Sequence, residues 1–221
     1  MDRDEVWKAI DQERSGLADL FDGLSEEEWE APSLCAGWRV RDVAAHLTLA
    51  QTGVLRAAGD LVRARGSMDR MIRDTAVRRA GLPVERYGAL LRGMAGSRRK
   101  APGVSRLEPL IDALVHGQDI AIPLGRDRPM PVAAAAAAAT RVWTMKWPLQ
   151  MKWPLQMWRM PDGFELTATD CSWSVGRGAR VEGPVGAILL ALTGRTAALP
   201  QLSGPGADGL RARLSSASGP R

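Results

Sequence analysis

The sequence predicts an α+β protein, a four-helix bundle followed by a small α/β unit. Three observations carry this. The first half holds four stretches whose apolar residues recur at helical spacing, joined by short connections. Around residues 163–181 the pattern changes to the alternation of a strand. Between these regions Pro129 and Pro131 punctuate the chain. On this basis residues 1–127 form the bundle, 128–213 the α/β unit and 214–221 a flexible tail.

In the bundle, residues 4–22 read as the first helix, with Val6, Ile10, Leu17, Leu20 and Phe21 as its apolar stripe and Gly23 as its stop. Ser25 and Glu28 are spaced as a capping box for a short helical turn. Pro32 and Gly37 mark a loop, and a second long helix starts near Trp38 or Arg39. Its stripe is Val40, Val43, Leu47, Ala50 and Val54, with His46 at or beside that inward face. Residues 67–80 and 83–96 supply further helix, parted by Gly81-Leu82-Pro83. Arg98–Gly103 is a loop, and the last bundle helix falls within Ser105–Gly125.

The second part opens on an alanine-rich helix, Val132–Trp143, with proline at its first turn. The hexapeptide MKWPLQ at 145–150 is then repeated unchanged at 151–156. Two six-residue copies do not make a repeat architecture, and Pro148 and Pro154 prevent a regular helix across them. One copy is expected to belong to the fold and the other to be extruded. In GFELTATDCSWSV, Phe164, Leu166 and Ala168 share one side, and Thr167, Thr169 and Cys171 the other. Gly176-Arg177-Gly178 reads as a turn into a second strand over Ala179–Glu182. GPVGAILLALTGR reads as a buried helix ended by Gly194.

Composition narrows the function classes. Hydrophobic residues are 45% and charged residues 25% of the 221, an ordinary globular balance. The chain has no apolar run long enough to span a bilayer, and its charged N-terminus lacks a signal-peptide core, so a cytoplasmic protein without a membrane partner is expected. Cys35 and Cys171 show no metal or redox spacing and read as ordinary thiols. The net charge is +5, but the arginines are dispersed apart from Arg98, Arg99 and Lys100. No nucleic-acid motif accompanies them, so no specific nucleic-acid partner is expected. The basic excess suits an anionic small substrate or reflects an arginine-rich proteome.

The helix within 105–125 carries the chemistry. Leu107, Leu110, Ile111, Leu114 and Val115 form a broad apolar face, while Glu108, Asp112, His116 and Asp119 gather in a narrow stripe. Asp112 and His116, four residues apart, share one face. His116 is one of only two histidines, and His46 is the other. If the two helices pack together, His46, Asp112 and His116 make a two-histidine, one-carboxylate metal site. Two readings stay open: the stripe is a solvated face, or it is buried and must be hydrogen-bonded or metal-bound.

Three segments together are similar to a known family: WRVRDVAAHL at 38–47, DALVHGQDIAIPLGR at 112–126, and TATDCSWSVG…GPVGAILLALTGRTAAL at 167–199. They resemble the mycothiol-dependent maleylpyruvate isomerases and the related DinB-like thiol transferases. The resemblance implies a DinB-like metal-binding bundle with ligands at His46, Asp112 and His116. Asp112 stands where the characterised isomerases carry a glutamate. It further implies zinc or another divalent metal, mycothiol as co-substrate, and a small electrophile that is either isomerised or conjugated to the thiol. Both histidines are then spent on metal, which leaves proton transfer to a carboxylate such as Asp119 or Glu108, or to water. Asp119 is alternatively a group that orients His116. Arg195 corresponds to the family's C-terminal active-site arginine, or else is a helix-terminal charge satisfying carbonyls. The protein is expected to be a monomer or homodimer. The competing reading is a noncatalytic metal-binding DinB-like stress or binding protein.

Overall fold

A computed structural model describes residues 1–51, 60, 63–65, 67–100, 105–145 and 162–217. The described chain forms two compact units, Met1–Pro129 and Met130–Arg221. The first is helical. The second combines helices with a three-stranded sheet.

In the first unit, α1 spans Arg3–Asp22. Asp2 starts it by accepting from the backbone N–H groups of Asp4 and Glu5, while Glu5 returns a bond to the Asp2 N–H. These bonds satisfy donors that a helix start leaves open. α2 (Glu26–Glu30) has the Ser25–Glu28 capping box that the spacing predicts. Its Trp29 is buried, with the Phe21 and Tyr87 rings each 5.5 Å away between centroids. This aromatic group anchors a core that includes Leu17, Val43, Leu47, Leu91 and Ile120.

A short loop leads into α3 (Val40–Leu47) and is pinned at both ends. The Val40 N–H donates to the Ala31 carbonyl at 2.9 Å, and Ser33 N–H to the Trp38 carbonyl at 2.9 Å. Gly37, at φ +75°, makes the reversal between them in the left-handed region that glycine enters without a Cβ penalty. Arg39 clamps the start of α3 with two side-chain bonds to the buried Asp42 carboxylate, each 3.0 Å. The helix stops at Leu47 and turns follow to Gln51, short of the Ala50 expected on its stripe; Val54 lies outside the described residues.

The chain continues through α4 (Met68–Arg79), α5 (Glu85–Arg92) and α6 (Leu107–Ala121). α1 packs on α5 and α6, and α3 packs on α4 and α6. α6 is buried almost all round. Glu108 and His116 are nearly inaccessible, Asp119 is completely so and Asp112 is half-buried, so the stripe is not a solvated face.

In the second unit, α7 (Val132–Thr144) buries Ala134, Ala135, Ala138, Ala139 and Val142 and packs on α8 (Val185–Leu192). The small alanine side chains let the two helices approach closely. The duplicated hexapeptide, apart from Met145, lies outside the described residues.

The sheet has strand order β2-β1-β3, formed by β1 (Gly163–Ala168), β2 (Ser174–Gly176) and β3 (Gly178–Gly183). Phe164, Leu166 and Ala168 face inward, as the alternation predicts. The run to Val175 is not one strand, however. It breaks after Ala168, where Asp170 turns aside to accept from the Val185 N–H at 2.9 Å and cap α8. The chain returns as β2, antiparallel to β1, then crosses the start of β1 and runs back along its other edge as β3, parallel to it.

That crossing takes three residues and depends on glycine. Gly176 (φ +87°) and Gly178 (φ +129°) are left-handed, and a Cβ on either would fall onto the Phe164 or Gly163 carbonyl. A 3-10 helix over Thr196–Gln201 leads to α9 (Ala207–Ala217). Leu210 and Leu214 of α9 are buried, so ordered helix continues past residue 213, where composition places the start of a tail.

Candidate metal centre

His46 sits in the last turn of α3, facing Asp112 and His116 on α6. One ligand atom from each of the three lies within 4.8 Å of the other two. The two imidazoles meet edge to face, with centroids 4.9 Å apart and planes at 77°. Trp38, from the loop before α3, packs against the far side of His46 at 5.7 Å. The helical register of α6 does the rest. Four residues bring Asp112 and His116 to one face, and three more bring Asp119 beneath the ring.

His116 Nδ1 lies 2.8 Å from Asp119 Oδ2. A buried carboxylate accepts, so the ring donates from Nδ1, and Nε2 is the nitrogen turned to a ligand. Sequence spacing missed a second partner. Cys35 Sγ donates to the same Asp119 oxygen at 3.1 Å and stands 3.8 Å from His116 Nδ1. The loop that delivers Cys35 is tied to α6 by a bond from Leu34 N–H to the Asp119 carbonyl, 3.0 Å. Cys35 is therefore not the isolated thiol that its spacing implies. Eleven residues separate it from His46 across an irregular loop, and no periodic pattern links the two.

The electrostatics divide the two histidines. Burial, reinforced by the neighbouring His116, pushes His46 down to about 3, against a weaker pull from Asp119. Burial also works against a charge on His116, but the Asp119 hydrogen bond, with Cys35 beside it, prevails and raises it to about 10. The metal-free pair thus holds one proton too many for a two-imidazole metal site, and that proton must leave when an ion enters. The donor set itself fits a divalent ion. Two neutral imidazoles and a carboxylate are a zinc-type set that keeps a position open for water or substrate.

The remaining site residue expected from the sequence, Arg195, lies in the second unit just after α8. It is largely buried, and its guanidinium donates to the Thr193 carbonyl at 2.6 Å, the helix-terminal arrangement. Glu108, one turn before Asp112, is buried and accepts from the Ser105 hydroxyl.

Fold and donor set together define a helical bundle that presents a two-histidine, one-carboxylate cluster and is followed by a small α+β unit. Residues 10–106 match the family described as the mycothiol maleylpyruvate isomerase N-terminal domain, the family that the sequence resembles. The match takes in Cys35 and His46 and stops just before α6. Two solved structures share the fold. One is a histidine-to-alanine mutant of mycothiol-dependent maleylpyruvate isomerase, with a TM-score of 0.60 at 14% identity, over 92% of both chains. The other is a mycothiol-dependent maleylpyruvate isomerase, with a TM-score of 0.56 at 14% identity, over 88% of this chain and 90% of that one. No curated protein matches the sequence.

Proposed function

We propose that the protein is a zinc- and mycothiol-dependent cytoplasmic enzyme, an isomerase of the maleylpyruvate type or a thiol S-transferase acting on a small electrophile. The observation that carries this reading is the convergence of His46, Asp112 and His116 from two helices, with His116 held from behind by a fully buried carboxylate. These three residues would hold the ion. Bound there, zinc supplies Lewis acidity that favours the thiolate of an incoming thiol.

The chain's own residues do the remainder. Asp119 keeps the proton on His116 Nδ1 and thereby fixes both tautomer and ring orientation. With both of its neighbours already donating to one oxygen, Asp119 is better placed as this orienting group than as a proton carrier to substrate. Glu108 is then the carboxylate on the same stripe left to exchange protons, directly or through water. In the isomerase reading, the thiolate adds to the conjugated cis double bond and the adduct rotates about the resulting single bond. Expulsion of the thiolate then restores the double bond as trans and returns the thiol unchanged. In the transferase reading the new carbon–sulfur bond stays.

The test is elemental analysis of the purified protein beside His46→Ala and His116→Ala, followed by turnover of maleylpyruvate with and without mycothiol. Near-stoichiometric zinc in the wild type, lost in both variants, together with thiol-dependent turnover, supports the proposal. Metal without turnover of maleylpyruvate or other electrophiles would favour a noncatalytic metal-binding protein. A wild type that takes up no zinc would overturn the metal centre.

A further inference from the structure

Beside the His46–Asp112–His116 set stands a second group of donors that shares His116. We propose that Cys35, Asp119 and the Nδ1 edge of His116 form a separate metal site that selects thiophilic ions such as Cd²⁺. The three donors are of three kinds and already form a tight triangle. Sγ to Oδ2 is 3.1 Å, Oδ2 to Nδ1 is 2.8 Å and Sγ to Nδ1 is 3.8 Å. A four-coordinate ion with bonds of about 2.1 Å to nitrogen and oxygen and about 2.3 Å to sulfur sets its donors about 3.4–3.6 Å apart. For a zinc-sized ion two edges of the triangle open by roughly half an ångström and the third closes slightly, and the longer bonds of Cd²⁺ lengthen every edge beyond those values.

The surroundings favour this use. Asp119 and His116 are buried, whereas Cys35 is partly exposed, so an ion approaches from the loop side. The loop is held by the Val40–Ala31, Ser33–Trp38 and Leu34–Asp119 backbone bonds, which keep Sγ over the carboxylate. Sulfur distinguishes this set from the first, and soft thiolate donors select soft ions. The two sets also use opposite nitrogens of one imidazole. With the first set empty, coordination expels the Nδ1 proton and the thiol proton and leaves the ring protonated at Nε2. With both sets filled, both ring nitrogens are taken and the Nε2 proton leaves as well. Zinc in the first set therefore weakens the second site without abolishing it.

The test titrates Cd²⁺ into the reduced, chelator-treated full-length protein and follows the ultraviolet thiolate-to-cadmium charge-transfer band. The band is expected to saturate with one ion per chain in the wild type, in Cys171→Ser and in His46→Ala, and to be lost in Cys35→Ser and Cys35→Ala. Circular dichroism checks that each variant is folded. Absence of the band in the wild type, its survival in both Cys35 variants, or its loss in His46→Ala would each overturn a separate site. The first donor set is judged independently by the zinc content of Cys35→Ser, which keeps all three of its residues.

Discussion

Replacing Asp119 by asparagine tests the link between the buried carboxylate and metal uptake. The wild-type His116 is raised to about 10, its proton shared with Asp119 at 2.8 Å. Across neutral pH an incoming ion must displace that proton, so apparent affinity climbs about tenfold per pH unit until the ring's own titration is reached. From pH 7 to pH 9 this amounts to about 100-fold. His46, held at about 3, adds nothing in this window. An asparagine amide still accepts from Nδ1 but carries no charge, so the ring returns toward its ordinary value of about 6.5. The variant's affinity should then change less than about twofold over the same range. At the alkaline end the loss of an orienting carboxylate should show as affinity about 10–100-fold below wild type. The assay is competition for zinc against a chromophoric chelator at several pH values. Parallel slopes for wild type and variant would refute the reasoning, whatever their vertical offset.

The stability of the metal-free protein should fall as pH drops from about 6.5 toward 3, because the unfolded chain binds a proton at His46 that the folded chain refuses. The limb should steepen by up to about 1.4 kcal/mol per pH unit and flatten in His46→Gln, as measured by urea unfolding between pH 6.5 and 4.5. His116 acts with opposite sign: its raised value stabilises the fold fully below about 6.5, and that contribution drains away as pH climbs toward 10. His116→Gln should therefore remove an alkaline decline in melting temperature measured without metal. Gly178→Ala forces a side chain into a left-handed residue and onto the Gly163 carbonyl, and should cost about 1–3 kcal/mol or more. A variant that melts with the wild type would show that the strand crossing tolerates a Cβ.

Much of this architecture is legible because the relevant signals are local. The capping box at Ser25 and Glu28, the stripe of α1 and the alternation of β1 each depend on neighbours within a few residues. The return of β2 was hidden because alternation runs through Thr169–Trp173 while the backbone leaves the sheet to cap α8. Periodicity cannot register a hydrogen bond made fifteen residues away. In the site, spacing identified Asp112 and His116, and the scarcity of histidine pointed to His46. Cys35 stayed hidden because it sits on an irregular loop, and its partner Asp119 is 84 residues distant.

The short carboxylate of Asp112 raises the question of whether it reaches an ion held by two histidines. Zinc ligands of this kind bond at about 2.0–2.2 Å, so the donors must stand closer to one another than the 4.8 Å that bounds them without metal. The neighbouring positions bear on how closely the helices approach. Ala44 and Ala45 precede His46 on α3, Ala113 follows Asp112 on α6, and all three are buried in one core cluster. Small residues at a helix contact bring axes toward the short end of the usual 8–10 Å. A bulky side chain at any of them would hold the helices apart, and aspartate, one methylene shorter than glutamate, would suffer first. If Asp112 holds an ion, the shorter ligand and the small residues beside it act together. The orienting pair supports them from beneath, since a ring fixed by Asp119 cannot swing away to meet a longer arm.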